Sequence, residues 1–413
     1  MSEREKKLEA AKERLKAFGQ EHLLKYYGEL PETEQDALLS QILATDFSVL
    51  SPGQLAAEKK ARGRIEPLSC LELPAIEARR EAYEAAGLKV LRGGLCAAVL
   101  LAGGMGTRLG LSGPKGACDI GITRPVYIFQ RLLENLAETA RRALRPLRLF
   151  IMTSEKNDAE TRAFLREHEF FGYPEEYVSF FVQDMAPCTD FGGKVLLEEK
   201  GRIAASPNGN GGWFVSLLRS EAGHLLADEG IRWLNVFGVD NVLQRILDPV
   251  FVGATILGGC AVGSKVVRKV SPEEKVGVMC LEDGRPSVIE YSEMTPELLA
   301  ERNEKGEPAY NFGVILNYLF SVEELRKHAD GELLLHLARK KIPCLDETGR
   351  AVRPGEPNGL KYELFIFDQI HEMPGCLPFE VVREREFAPV KNAQGADSVE
   401  SARRLCEKNG IAL

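Results

Sequence analysis

Residues 100–116 read Leu-Leu-Ala-Gly-Gly-Met-Gly-Thr-Arg-Leu-Gly-Leu-Ser-Gly-Pro-Lys-Gly, so Gly103, Gly104 and Gly106 stand close together with Arg108 and Lys115 behind an apolar run. Such a loop suits a polyphosphate. Glycine lets backbone N–H groups turn inward without side-chain clash, and the two cations supply the opposing charge. The Walker pattern G-x-x-x-x-G-K-[ST] fails, because Lys115 follows Pro114 and precedes Gly116. The dinucleotide fingerprint G-x-G-x-x-G fits Gly104 and Gly106 but then meets Leu109, one residue before Gly110, and no acidic residue closes the unit. The plain alternative for Arg108 and Lys115 is a pair of solvated surface cations. A carboxylate comes later: the run from Trp233 ends in Asp240, which an apolar strand would deliver to a sheet edge. Mg²⁺ takes few protein carboxylates and completes its shell with water and phosphates, so a lone Asp240 suffices as its ligand. The alternative is Asp240 as the N-cap of a following helix.

These groups need elements to hold them. Cys96 to Leu101 reads as a buried strand, and further strands are expected at 147–152, 178–183 and 231–239. Between them lie a helix opening near Pro125, with Ile128, Phe129, Leu132, Leu133 and Leu136 on its inner face, and helical stretches at 157–170 and 212–227. The alternation predicts an α/β fold with a doubly wound open sheet, whose ligands bind at the carboxyl ends of the strands. Beyond residue 260 the text predicts a hairpin over 276–281 and 287–291 around a Glu282-Asp283-Gly284 turn, an extended run at 311–319 and a helix over 322–341. Residues 361–372 read as helical, 379–383 as extended and 399–408 as helical. At the start, Leu8, Ala11, Leu15, Phe18 and His22 step by helical spacing, Pro31 opens a second helix with Leu38, Leu39, Ile42 and Leu43 inside, and Pro52-Gly53 breaks the chain before further charged helix. The expected organisation is a helical N-terminal lobe at 1–90 that serves as a packing platform, a catalytic domain at 91–385 and a short C-terminal segment at 386–413.

The pattern L-A-G-G-x-G-T-R-L followed by P-K resembles the signature of sugar-nucleotide pyrophosphorylases. The stretches from Lys194 to Lys200, Asn208 to Gly212, Phe237 to Asn241, Val288 to Glu293, Pro357 to Lys361 and Phe387 to Asn392 narrow the resemblance to the UDP-N-acetylhexosamine pyrophosphorylases of eukaryotic type. The resemblance spans about residues 95 to 405. It implies a Rossmann-like mixed sheet of the nucleotide-diphospho-sugar transferase (GT-A-like) type. It also implies a uridylyltransferase that joins UTP and N-acetylglucosamine-1-phosphate into UDP-N-acetylglucosamine and pyrophosphate, with Mg²⁺ as cofactor. Arg108, Lys115 and Lys391 are then the catalytic cations, Lys391 on the α-phosphate under attack. Leu101, Ala102, Gly103 and Gly104 hold uracil and ribose by backbone contacts, Gln183 reads uracil through its amide, and Gly209 and Lys361 touch the nucleotide. Asn210, Glu290 and Asn311 face the sugar, Gly277 leaves room for the acetamido group, and Asp240 binds the metal. Blander readings stay open: Gln183 as a strand-end cap, Asn-Gly as turn chemistry, and Lys361 and Lys391 as solvated lysines.

Met105 stands where the family commonly has Gln, and Asn208 where it has Asp; both touch the nucleotide edge and relax base or sugar choice. The longer C-terminal region of the eukaryotic enzymes is expected to be mostly missing, which puts a family-like oligomer in doubt and favours a monomer or weak homodimer. The rivals are a UDP-glucose or UDP-galactose type of pyrophosphorylase, which usually carries a His in the Gly-rich stretch, and a non-catalytic nucleotide-sugar sensor. Composition fits an ordinary globular protein. In 413 residues, 53 Lys+Arg and 61 Asp+Glu leave a charge of −8 with the signs interspersed, which speaks against a nucleic-acid partner. Nine Cys show no C-x-x-C spacing and read as reduced cytoplasmic thiols, and no apolar stretch is long enough for a spanning helix, so no membrane partner is expected.

Overall fold

The computed structural model describes residues 2–50, 62–329 and 335–413, which divide into two compact units. Of these, the smaller unit takes residues 2–50, 184–212 and 335–366, and the larger takes 62–183, 213–329 and 367–413.

In the smaller unit, helices α1 (Glu3–Ala17) and α2 (Glu32–Ala44) form as their apolar spacing predicts. A capping box between Ser2 and Glu5 starts α1. The stripe is shorter than expected: Ala11 and Leu15 are buried, while Phe18 and His22 lie past the helix and are exposed. Ala11, Leu15, Leu38, Leu39 and Ile42 find their partners in Val195, Leu197 and Ile203, far away in sequence. The lobe expected at 1–90 is therefore neither all-helical nor continuous. It includes paired strands Met185–Pro187 with Ala205–Pro207 and His336–Lys340 with Gly359–Glu363. That last pair overturns two helical expectations. His336–Lys340 is a strand rather than the end of a helix over 322–341, and Lys361 is a strand residue opposite Ala338. Cross-strand pairing outweighs the helical propensity of these charged residues. The helix placed after Pro52-Gly53 falls outside the described residues.

The larger unit carries a 10-stranded mixed sheet. In chain order its strands are β1 (Ile65–Pro67), β2 (Cys96–Leu101), β3 (Arg148–Thr153), β4 (Val178–Val182), β5 (Trp233–Gly238), β6 (Val262–Arg268), β7 (Val278–Glu282), β8 (Arg285–Ile289), β9 (Phe312–Ser321) and β10 (Cys376–Glu380). Strands β4, β3, β2 and β5 are parallel neighbours in that order, so the chain reverses its direction of winding between β2 and β5. Strand β9 runs antiparallel to β5 and β6, and β10 is parallel to β6. The mixed character is what the family resemblance implied, and it enters beyond the parallel run of β4, β3, β2 and β5. The hairpin of β7 and β8 closes through Asp283 and Gly284, both at positive φ, which is the two-residue turn that matches strand twist.

Helices α3 (Arg80–Arg92), α4 (Ile128–Ala143), α5 (Asp158–Glu167), α6 (Trp213–Arg219), α7 (Pro249–Leu257) and α8 (Val399–Lys408) belong to this unit. Ile128, Phe129, Leu132, Leu133 and Leu136 of α4 are buried as expected, each side chain contributing ~1.5–3 kcal/mol by leaving water. The stretch expected at 212–227 breaks after α6 into a 3₁₀ turn and one short helical turn. The extended run placed at 379–383 is β10, which ends at Glu380, and Arg383 opens a short helix. Residues 62–92 and 386–413 are part of this unit, which moves both expected boundaries. The reason is contact at glycine. A Cβ on Gly87 of α3 would lie 1.9 Å from the Pro249 carbonyl oxygen, and one on Gly253 of α7 would lie 1.8 Å from that of Tyr83. Gly87→Ala is expected to lower unfolding free energy by about 2–3 kcal/mol, read as a lower urea midpoint at unchanged m-value. Among the described residues no helix is long and apolar enough to cross a membrane.

Candidate active site

Strand β2 is buried throughout and releases the chain into the glycine loop between β3 and β5. The base of the loop is fixed by the sheet: Val239 N–H donates to Leu101 O, and Ala102 N–H donates to Met152 O. Asn157, fully buried, donates through Nδ2 to Ala102 O (2.8 Å) and Gly104 O (3.3 Å). Leu101 and Ala102 are thus anchors with engaged backbones, which narrows the expected backbone contacts toward Gly103 and Gly104. Gly106 N–H donates to Gly113 O and Lys115 N–H to Gly104 O, so the loop folds back on itself and carries Lys115 to its own start.

Gln183 follows β4, is buried, and donates its backbone N–H to Thr153 O. Its amide lies against the loop: a Cβ on Gly103 would stand 2.3 Å from Gln183 Nε2. Glycine at 103 is what allows the amide to sit there.

Asp240 stands two residues beyond β5, and Lys115 Nζ approaches its Oδ2 to 3.8 Å. No helix begins at Asp240; the next, α7, is capped by Asp248. The capping alternative therefore falls. A Cβ on Gly238 would meet Leu316 Cδ2 at 2.6 Å and Asp240 Oδ1 at 3.0 Å. Leu316 itself takes φ 51° where β9 bulges against β6, a costly conformation for a leucine that the packed surroundings enforce. A chain of buried amides supports the loop that carries Asp240. Asn235 Nδ2 donates to Asn317 Oδ1 (2.8 Å), Asn317 Nδ2 to Gln244 Oε1 (2.9 Å), and Gln244 Nε2 to Gly238 O (2.8 Å).

Lys391 reaches the same site from the C-terminal segment. Val390 N–H donates to Asp240 O, and Asn241 brackets the segment by donating to Glu386 O (2.7 Å) and accepting from Ala388 N–H (2.8 Å). Lys391 Nζ lies 3.7 Å from Asp397 Oδ2. The electrostatics tie the group together. Burial pushes the Lys115 ammonium below the ordinary lysine value, Lys391 and Arg108 push it the same way, and Asp240 pulls it back. Arg108 is exposed on the turn Thr107–Leu109. Lys115 beside Asp240, with Lys391 and Arg108 near enough to act on its charge, at the carboxyl ends of β2 and β5, defines a site for a polyanion.

Because β9 is antiparallel to β5, its start returns to this edge with β7 and β8. Val314 N–H donates to Gly277 O, and a Cβ on Gly277 would lie 3.2 Å from Glu290 Oε1. Gly277 and Glu290 are therefore neighbours. Asn311, buried, precedes β9, and its backbone oxygen accepts from Lys269 N–H. Gly209, Asn210 and Lys361 belong to the smaller unit. There Gly209 has φ 85° and bridges Leu364, and Asn210 Oδ1 accepts from Ile366 N–H (3.0 Å). The Asn-Gly turn chemistry is thus real, and Asn210 Oδ1 has a structural bond besides any ligand role. Sequence reasoning missed Asn157, Gln244 and Asn317, for which no local pattern exists; Asn241 lay inside a quoted stretch.

Asp240 also answers what a metal could use. Among the described residues no three His, Cys, Asp or Glu gather as a metal cage, while one half-buried carboxylate faces the cation cluster. A hard carboxylate with room for water and phosphate oxygens fits Mg²⁺.

A mixed sheet with a glycine loop and a cation cluster at its winding reversal defines a nucleotide-handling α/β protein. The model of UTP–glucose-1-phosphate uridylyltransferase matches residues 76–411, and the chain belongs to that family. Among relatives, it is 37% identical over 408 residues to UDP-N-acetylhexosamine pyrophosphorylase-like protein 1 of Homo sapiens, covering 93% of this chain and 80% of that one. It is 34% identical to UDP-N-acetylglucosamine pyrophosphorylase of Saccharomyces cerevisiae, covering 95% and 88%. The crystal structure of the uridine diphosphate N-acetylglucosamine pyrophosphorylase of Trypanosoma brucei, in complex with an inhibitor, superposes with a TM-score of 0.84 at 30% identity, covering 98% of this chain and 84% of that one. The resemblance read from the glycine loop is borne out.

Proposed function

We propose that the chain is a uridylyltransferase that forms UDP-N-acetylglucosamine and pyrophosphate from UTP and N-acetylglucosamine-1-phosphate. The observation that carries the reading is Lys115 beside Asp240, with Arg108 and Lys391 in electrostatic reach, on the loop that follows β2. The reaction is in-line attack by a phosphate oxygen of the sugar phosphate on the α-phosphorus of UTP. The P–O bond to the β-phosphate breaks and pyrophosphate leaves. The nucleophile is already an anion at neutral pH, so the protein's work is alignment and charge neutralisation. Arg108 and Lys115 take the phosphates and Lys391 the α-phosphate, with Lys361 beside the nucleotide. Mg²⁺, held by Asp240, would neutralise charge on the triphosphate and the departing pyrophosphate. Gln183 reads uracil beside Gly103 and Gly104, with Gly209 on the nucleotide. Glu290 and Asn311 of the larger unit take the sugar, and Gly277 leaves the acetamido group room; for Asn210 of the smaller unit a sugar contact rests on the family resemblance alone.

The parallel order of β4, β3, β2 and β5, with β9 reversed, supports placing the larger unit with GT-A-like nucleotide-diphospho-sugar transferases. Nine free cysteines, with Cys96, Cys118, Cys188, Cys280 and Cys406 buried, support a reducing, cytoplasmic setting, and we propose a monomer or weak homodimer.

The test is pyrophosphate release from UTP and Mg²⁺ with N-acetylglucosamine-1-phosphate, N-acetylgalactosamine-1-phosphate or glucose-1-phosphate as acceptor. A strong preference for the N-acetylglucosamine acceptor is expected. If glucose-1-phosphate wins, the sugar assignment falls, and no turnover with any acceptor brings the sensor reading forward. A second variant probes the base: Gly103→Ala displaces the Gln183 amide rather than the fold. It should raise KM for UTP by roughly five- to tenfold, the worth of one hydrogen bond, with the thermal midpoint nearly unchanged.

A further inference from the structure

Lys265 is fully buried in β6, between Ser264 and Val266, which are buried as well. Its ammonium donates to Glu386 Oε2 at 2.5 Å and to the Arg245 carbonyl oxygen at 3.1 Å. Asp248 Oδ2 lies 3.5 Å away, and the ammonium stands over the Phe251 ring at 5.4 Å from its centre. A fully desolvated lysine is expensive and persists only when its charge and its three donors are met. Its partners are not scattered. Arg245 and Asp248 belong to the loop that begins at Asp240, and Glu386 opens the segment that ends at Lys391. Above this cluster the same two stretches are joined by Asn241 to Glu386 O and Ala388 N–H, and by Val390 N–H to Asp240 O.

We infer that Lys265 is a positioning residue: it locks the Asp240 loop to the Lys391 segment from below, and so sets the separation of the metal carboxylate and the α-phosphate lysine. The inference rests on the uridylyltransferase reading. Its physical content is that alignment, rather than stability alone, depends on the lock. Displacing a reacting group by about an ångström costs on the order of 100-fold in rate, whereas ground-state binding of UTP is shared among many contacts.

Three variants test it: Lys265→Met, Lys265→Met/Glu386→Gln, and Glu386→Asp, which keeps the charge but withdraws it by one methylene. Each is assayed for kcat, KM for UTP and thermal midpoint. Lys265→Met should lose roughly tenfold or more in kcat with KM for UTP within about threefold. The double variant, freed of the orphaned Glu386 charge, should recover thermal midpoint but not kcat. Glu386→Asp should lose several-fold in kcat, and it decides the matter by itself if Lys265→Met does not fold. Recovery of kcat with stability in the double variant, or an unchanged kcat in Glu386→Asp, would overturn the inference and leave Lys265 a structural residue. A wild-type protein inactive with every acceptor overturns the parent reading instead.

Discussion

Replacing Lys391 with alanine is expected to lower kcat by roughly 100- to 1,000-fold while shifting the urea midpoint very little. The asymmetry follows from where the residue sits. Its side chain is 45% exposed, and its ion pair with Asp397 is long at 3.7 Å, so removing it leaves no buried charge and costs ~0–1 kcal/mol. Its backbone is held independently, since the Lys391 N–H donates to Asp397 O whatever the side chain is. In the proposed reaction, however, negative charge accumulates around the α-phosphorus, and an ammonium placed there acts in the transition state more than in the ground state. Steady-state kinetics should therefore show the loss in kcat, with KM for UTP changed only a few-fold. An alanine variant with unchanged turnover would remove Lys391 from the mechanism, and one that unfolds would assign it to the fold.

Much of the larger unit could be read from its text because its signals were local. The strand Cys96–Leu101 and the helix Val399–Lys408 match their expected limits, since an unbroken apolar run and a capped amphipathic repeat each announce their ends. The Asp283-Gly284 turn was legible for the same reason: a two-residue turn needs positive φ, which glycine after aspartate supplies. Residues 336–340 and 359–363 failed because their structure comes from pairing with each other across a long stretch of chain. The same holds for the site. Arg108 and Lys115 were visible because glycines surround them, and Asp240 because an apolar strand runs into it. Asn157, Gln244 and Asn317 carry no such mark. Each acts through an amide that meets a backbone or side-chain partner brought near only by folding. Lys265 did carry a signal, a cation in the middle of a buried strand, and its meaning emerges only with Glu386 beside it.

Asp240→Asn should nearly abolish turnover, by ~1,000-fold or more, and the way it does so separates a metal ligand from a structural acid. Asparagine keeps the shape of the side chain, and the loop beneath is held by Gln244 through Gly238 O and by Asn241, so the fold should lose no more than ~1 kcal/mol. The local field changes more. Asp240 is the charge that pulls the Lys115 ammonium back toward its ordinary value against burial, Lys391 and Arg108. Without it the Lys115 ammonium has lost its carboxylate partner, Lys391 keeps only its long pair with Asp397, and a triphosphate becomes the main counter-charge of the cluster. Metal-free UTP is therefore expected to bind the variant at least as tightly as the wild type, because one negative charge near the phosphates has gone. Mg²⁺ should then fail to restore turnover at concentrations that saturate the wild type. Calorimetric titration of UTP with and without Mg²⁺, beside a turnover assay across Mg²⁺ concentration, reads both effects. Weaker binding of metal-free UTP would mean that Asp240 shapes the pocket instead of holding the metal, and recovery of full turnover at higher Mg²⁺ would mean that the substrate phosphates alone suffice to hold it.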